Sequence, residues 1–130
     1  MRRSTPLIPL AGIVYLFIGR AFAWPTTHAQ AWRYAAWIAS GVVFAAHIAY
    51  EHFKLRHSPR STAFNAALGV AVGAFGLAVV GMLHSLGVRS RIAPTWYIAL
   101  VAWPAFTAVP AFLAALVTAL VLQRIRPAVL

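Results

Sequence analysis

The chain has a single acidic side chain, Glu51, and it follows His47 by four residues. Residues four apart meet across one helical turn, and a carboxylate beside an imidazole favours the imidazolium. Such a pair can hold a proton or bind a small polar ligand. At 100° per residue, Arg33, Trp37, Ser40, Phe44, His47 and Glu51 fall within an arc of roughly 80°. Ser40, His47 and Glu51 are therefore the candidates for a ligand or proton path. The competing assignment, which we prefer at this level, is structural: Glu51 ends its helix and pairs with Lys54 or Arg56 in partial water.

Other chemistry has less to build on. A haem b in a helical bundle needs two axial ligands from facing helices at similar depth. His47 and His84 are weak candidates, because neighbouring antiparallel helices put them at opposite ends. His84 with His28, or His47 with His52, is less awkward. No spacing demands a metal, so no cofactor is expected, and haem remains the lesser alternative. The chain contains no cysteine, which excludes thiol catalysis, thiolate metal sites and disulfides. One acid cannot supply a carboxylate pair or the ligands of a divalent-metal hydrolase, and serine chemistry lacks its usual orienting acid. HExxH and a phosphate-cradling glycine loop with lysine are also absent. Enzymatic activity is not expected.

The elements that must position these residues are apolar. Hydrophobic residues make up 62% of the 130 positions and charged residues 9%, against roughly 45–50% and about 25% in ordinary globular proteins. So few charges cannot form a polar shell. Four apolar stretches lie between short basic clusters, as membrane spans do. The expected fold is all-α: one transmembrane domain over 1–130, an up-down bundle with spans at about 7–23, 32–50, 62–86 and 95–122. The segment 51–60 reads as a loop, with Ser61 and Thr62 capping the third helix. Trp32 and Tyr34 suit the headgroup level, as does Trp24 before Pro25 and Thr26.

The formal charge is +10, from eleven basic residues against one acid. The basic residues sit at the ends of apolar runs, which favours anionic lipid headgroups over nucleic acid. With a cytoplasmic N-terminus, Arg2, Arg3, Lys54, Arg56, Arg60, Arg124 and Arg126 lie inside, and Arg20, Arg33, Arg89 and Arg91 outside. That satisfies the positive-inside rule with both termini cytoplasmic. The basic start, the apolar run and Ala21-Phe22-Ala23 also resemble a signal peptide, but Arg20 lies close to the would-be cleavage site, and a retained anchor is preferred.

Two further stripes concern packing. Asn65, Gly69, Gly73, Gly76, Val80 and His84 lie within roughly 100° of one another on the third helix. Gly69 and Gly73 form a GxxxG spacing that lets another helix approach closely. Packing within the bundle is the preferred use, and a homodimer the other. In the fourth span Pro104 and Pro110 each remove a backbone donor, which predicts kinks. Trp96, Trp103, Thr107, Pro110, Ala114 and Thr118 share a face, so the kinked side is expected to look inward.

In length and number of spans the chain resembles four-span carriers such as the small multidrug resistance family, and the signature of that family is a membrane-embedded Glu in the first span. The first span here has no acid, and the chain is assigned to no family. The leading expectation is a non-catalytic accessory or structural subunit of a bacterial inner membrane, packing against itself or another membrane protein. A small carrier or channel using the Ser40, His47 and Glu51 face is the alternative.

Overall fold

The computed structural model describes residues 6–22 and 27–125. Arg2, Arg3, Ala23, Trp24, Pro25, Thr26 and Arg126, all used in the topology argument, lie outside them. The described residues form four α-helices: α1 (Leu7–Ala21), α2 (Ala29–Ala49), α3 (Pro59–Arg89) and α4 (Pro94–Ile125). A π-helical turn, Tyr50–Lys54, continues α2. Among the described residues there is no strand.

Local chemistry moves several boundaries. The segment 51–60 is not a plain loop. Its first part is the π-turn, closed by the Leu55 N–H donating to the Tyr50 carbonyl at 3.2 Å. The cap of α3 is Ser58, not Ser61 or Thr62: its Oγ accepts from the Ser61 N–H at 3.3 Å. Pro59 follows at the first helical position, where its missing N–H leaves nothing unpaired. α2 begins at Ala29, ahead of Trp32, after His28 in the left-handed region.

Two helices are long and apolar enough to cross a bilayer. α3, of 31 residues, and α4, of 32, reach mean hydropathies of 2.2 and 2.3. At ~1.5 Å per residue each exceeds a hydrocarbon core of ~30 Å. α1 is apolar but has only 15 residues, or about 22 Å of helix. α2 has 21 residues, but Gln30, Arg33, Tyr34, Ser40 and His47 dilute its apolar character.

α3 is the hub. It packs along α4 on one side and α1 on the other, while α2 touches its neighbours lightly. α1 lies parallel to α3 in the glycine groove. A Cβ on Gly69 would sit 3.1 Å from the Ala11 Cβ, one on Gly73 2.6 Å from the Tyr15 Cβ, and one on Gly76 2.9 Å from Leu16 Cδ1. α1 answers with its own glycines: Gly12 faces Val72, and Gly19 faces Leu77. On the α4 side, Trp96 lies over Gly81.

The buried apolar residues are mostly alanines: Ala11, Ala63, Ala66, Ala67, Ala74, Ala78, Ala115 and Ala119. Apart from Ile48 and Tyr15, which are buried, most large apolar side chains are at least partly exposed, Val101 being 74% exposed and Phe106 78%. Water-soluble proteins bury their large apolar residues, whereas membrane helices pack through small ones because lipid tails solvate the large ones equally well.

α4 corrects one expectation. It is one helix through Pro104 and Pro110, and the face shared by Trp96, Trp103, Thr107, Pro110, Ala114 and Thr118 turns inward only at its start, where Trp96 lies against Gly81. Trp103, Pro110, Ala114 and Thr118 are exposed, while Ala115 and Ala119 are buried, with Phe112 and Leu122 partly so. The two faces differ by roughly a third of a turn. The reason is that α4 is apolar all round, so the chosen residues carried no directional signal. Thr107 Oγ1 donates to the carbonyls of Trp103 at 3.0 Å and Pro104 at 3.1 Å, and Thr118 Oγ1 to that of Ala114 at 2.8 Å.

Candidate functional site

At the end of the bundle where α2 stops and α3 starts, the apolar packing is interrupted by polar side chains. α2 is anchored there by Ile48, which packs with Ala63 and Ala66 of α3 and Ala115 of α4. Phe44, Phe112, Leu116 and Leu122 close around this cluster. Because Ile48 is turned into α3 and α4, His47 and Glu51, on either side of it in sequence, are carried in as well. His47 is buried, its ring against the bare backbone of Gly69. Glu51 has no solvent exposure at all.

A buried carboxylate is costly unless it is paired and hydrogen-bonded. Glu51 Oε2 is within hydrogen-bonding reach of His57 Nδ1 and accepts from Asn65 Nδ2 at 3.2 Å. Its other oxygen, Oε1, faces His47 Nε2 at 3.6 Å, close enough for charge interaction but beyond a hydrogen bond. The expected pairing with Lys54 or Arg56 does not occur. Both are exposed, and the ion pairs of Glu51 among the described residues are with His47 and His57.

The backbone explains how His57 arrives. The π-turn widens the end of α2, and Arg56 then adopts the left-handed region with φ of 55°. The chain reverses there, and the His57 N–H donates to the Glu51 carbonyl at 3.2 Å. One residue thus touches Glu51 through both backbone and side chain. π-turns of this kind recur at functional sites. His52, on the same turn, is buried and stands edge-on to Phe53, with ring centroids 5.0 Å apart. Thr62, one turn into α3, is fully buried.

The remaining candidates scatter. Ser40 is half-buried two turns before His47, and the outer part of the stripe is open, with Arg33 exposed and Trp37 79% exposed. Asn65 joins the Glu51 site, whereas Gly69, Gly73 and Gly76 receive α1. His84 is exposed near the far end of α3 and His28 is exposed before α2, so neither meets His47. Among the described residues no three histidines or acids converge as a metal site. Sequence reasoning missed His57 and the role of Asn65. A histidine six positions after a carboxylate is not a helical neighbour, and only the turn's shape makes it one.

No known protein family, curated protein or solved structure matches the chain.

Proposed function

We propose that the chain is an integral membrane protein with four crossings and both termini cytoplasmic, resident in a bacterial inner membrane. In it the chain acts without catalysis, as an accessory or structural subunit of a homo- or hetero-complex. The observation that carries this reading is the inverted distribution of side-chain size: alanine and glycine inside, large apolar residues outside. Hydrocarbon tolerates that surface and water does not. The shorter α1 and the more polar α2 would cross with flanking residues such as Arg20 and Arg33 reaching to the headgroups.

The subunit role is supported by α2. The groove of α3 is filled by α1, so its glycines are spent on the chain's own packing. α2, by contrast, meets Phe22 through Trp32 near its start, with ring centroids 5.7 Å apart, is anchored by Ile48 near its end, and leaves one side of its middle open. There Ile38, Gly41, Val42 and Ala45 are exposed, and a Cβ added at Gly41 would meet nothing within 4 Å. Gly41 and Ala45 repeat the four-residue spacing of small residues through which membrane helices associate.

The test is the native mass after extraction in mild detergent. A complex larger than the 14.1 kDa chain is expected. Gly41→Leu, which the isolated fold accommodates, should reduce it to the single chain. A wild-type protein that is monomeric in membranes and in detergent removes the subunit reading.

A further inference from the structure

We propose that Glu51, His57 and His47 form a proton-binding site holding one exchangeable proton, loaded through His57 at the end of the bundle where α2 meets α3. The inference goes beyond the subunit role and holds whether or not the chain assembles.

Charge counting is the first argument. With both imidazoles neutral, the ionised Glu51 leaves a net charge of −1 on a fully buried carboxylate. One added proton makes the site neutral, and a second makes it positive. Burial disfavours either charged state, so the one-proton state is the stable one. The charges that might have neutralised the carboxylate permanently are elsewhere: Lys54 and Arg56 on the turn, Arg60 on α3 and Arg124 on α4 are all exposed. A fixed latch would be served by one of these cations. The partners supplied are instead imidazoles, which take up and release protons near neutral pH.

Geometry is the second. Oε2 is occupied by two donors, while Oε1 has only His47 Nε2 before it, at 3.6 Å. Both ring nitrogens of His47 are buried without a hydrogen-bond partner, as is Glu51 Oε1. The site therefore keeps an unused carboxylate oxygen facing an imidazole nitrogen at a distance where charge, but not a hydrogen bond, couples them. The other titratable groups nearby are His52 on the turn and Tyr15 on α1, both buried. The buried residues of α4, Ala115 and Ala119, add none.

Access is the third. The side chain of His57 is 21% exposed, against 0% for Glu51 and 4% for His47. A hydronium ion in the surrounding water can give its proton to Nε2 of His57, breaking one of its O–H bonds and leaving water, while the Nδ1–H passes to Oε2. An N–H bond breaks, an O–H bond forms, and His57 returns to neutral. The net change is one proton bound.

Glu51 is the only side-chain carboxylate in the chain, so glutamate labelled with carbon-13 at its carboxyl gives one resonance to follow. In detergent micelles titrated from about pH 4 to pH 9, the Glu51 carboxyl carbon and the His57 ring nitrogens should report one common midpoint, as coupled groups do. His57→Gln should move the carboxyl midpoint by at least about one pH unit. Arg56→Gln, on an exposed neighbour, should not. The proposal is overturned if Glu51 titrates by itself near about 4.3, the value of a free glutamate, or does not titrate over this range. It also falls if His57→Gln leaves its midpoint in place. Should His57→Gln fail to fold, the common midpoint in the wild-type protein decides alone.

Discussion

Asn65 on α3 donates from Nδ2 to Oε2 of Glu51 at 3.2 Å, across the turn that joins α2 to α3. The bond links the first turns of the hub helix to the only buried acid. Asn65→Ala leaves Oε2 with His57 alone. Hydrogen bonds to a charged group contribute about 1.5–3 kcal/mol, and a loss of that size is expected in thermal or denaturant unfolding in detergent. Asn65→Asp should cost more, since it sets a second carboxylate beside Glu51. Equal stability of all three proteins would show that the contact does not hold α2 in place.

The approach of His47 to Glu51 was legible because it follows from helical period. Their face is buried only at that end, with Arg33 and Trp37 exposed, and the burial of Glu51 itself ran against the preferred pairing with Lys54 or Arg56. The glycine groove was legible from the same helical period. What fills it was not: α1 and α3 are separated by the whole of α2, and no local pattern in Leu7–Ala21 announces that it lies parallel to α3. His57 was hidden by two backbone features with no sequence marker, a π-turn at Tyr50–Lys54 and a left-handed arginine at position 56. The inward face of α4 was misread because apolar residues surround that helix, and hydropathy then has no direction. α2 reads as a bundle member, yet Trp37, Ile38, Gly41 and Val42 in its middle are exposed, which residue spacing alone does not announce.

Gly73 and Gly41 should respond oppositely to the same substitution. In Gly73→Ala the new methyl would lie 2.6 Å from the Tyr15 Cβ and 3.1 Å from the Gly12 carbonyl oxygen. Neither atom can move without moving α1, and a loss of about 1–3 kcal/mol is expected from overpacking. In Gly41→Ala the methyl enters open space, and helix propensity favours alanine by up to about 1 kcal/mol. Unfolding of the two variants beside the wild type checks this. Destabilisation of both to the same extent would argue against the close approach of α1 and α3.

Because the chain has no cysteine, single cysteines report topology directly. Gln30, Lys54 and Ser90 are exposed, at the start of α2, on the turn after it and at the end of α3. With four crossings, Gln30→Cys and Ser90→Cys should react with a membrane-impermeant maleimide from the outer side, and Lys54→Cys only in inverted vesicles. Labelling of Gln30→Cys and Lys54→Cys from one side would mean that α2 does not cross, leaving the more apolar α3 and α4 as the spanning pair.

Ser90 closes α3 with φ of 56°, its N–H donating to the Leu86 carbonyl at 2.9 Å. This is the left-handed position that most helices ending this way give to glycine. For a residue with a side chain it costs about 1–2 kcal/mol. Serine is exposed here, so glycine would lose no packing. Ser90→Gly should therefore raise stability by up to about 1 kcal/mol, offset in part by the greater freedom of glycine in the unfolded chain. Ser90→Val, branched at Cβ and poorly suited to this conformation, should lower it. If the two variants unfold alike, the backbone at position 90 is not held in the left-handed region, and α3 ends in some other way.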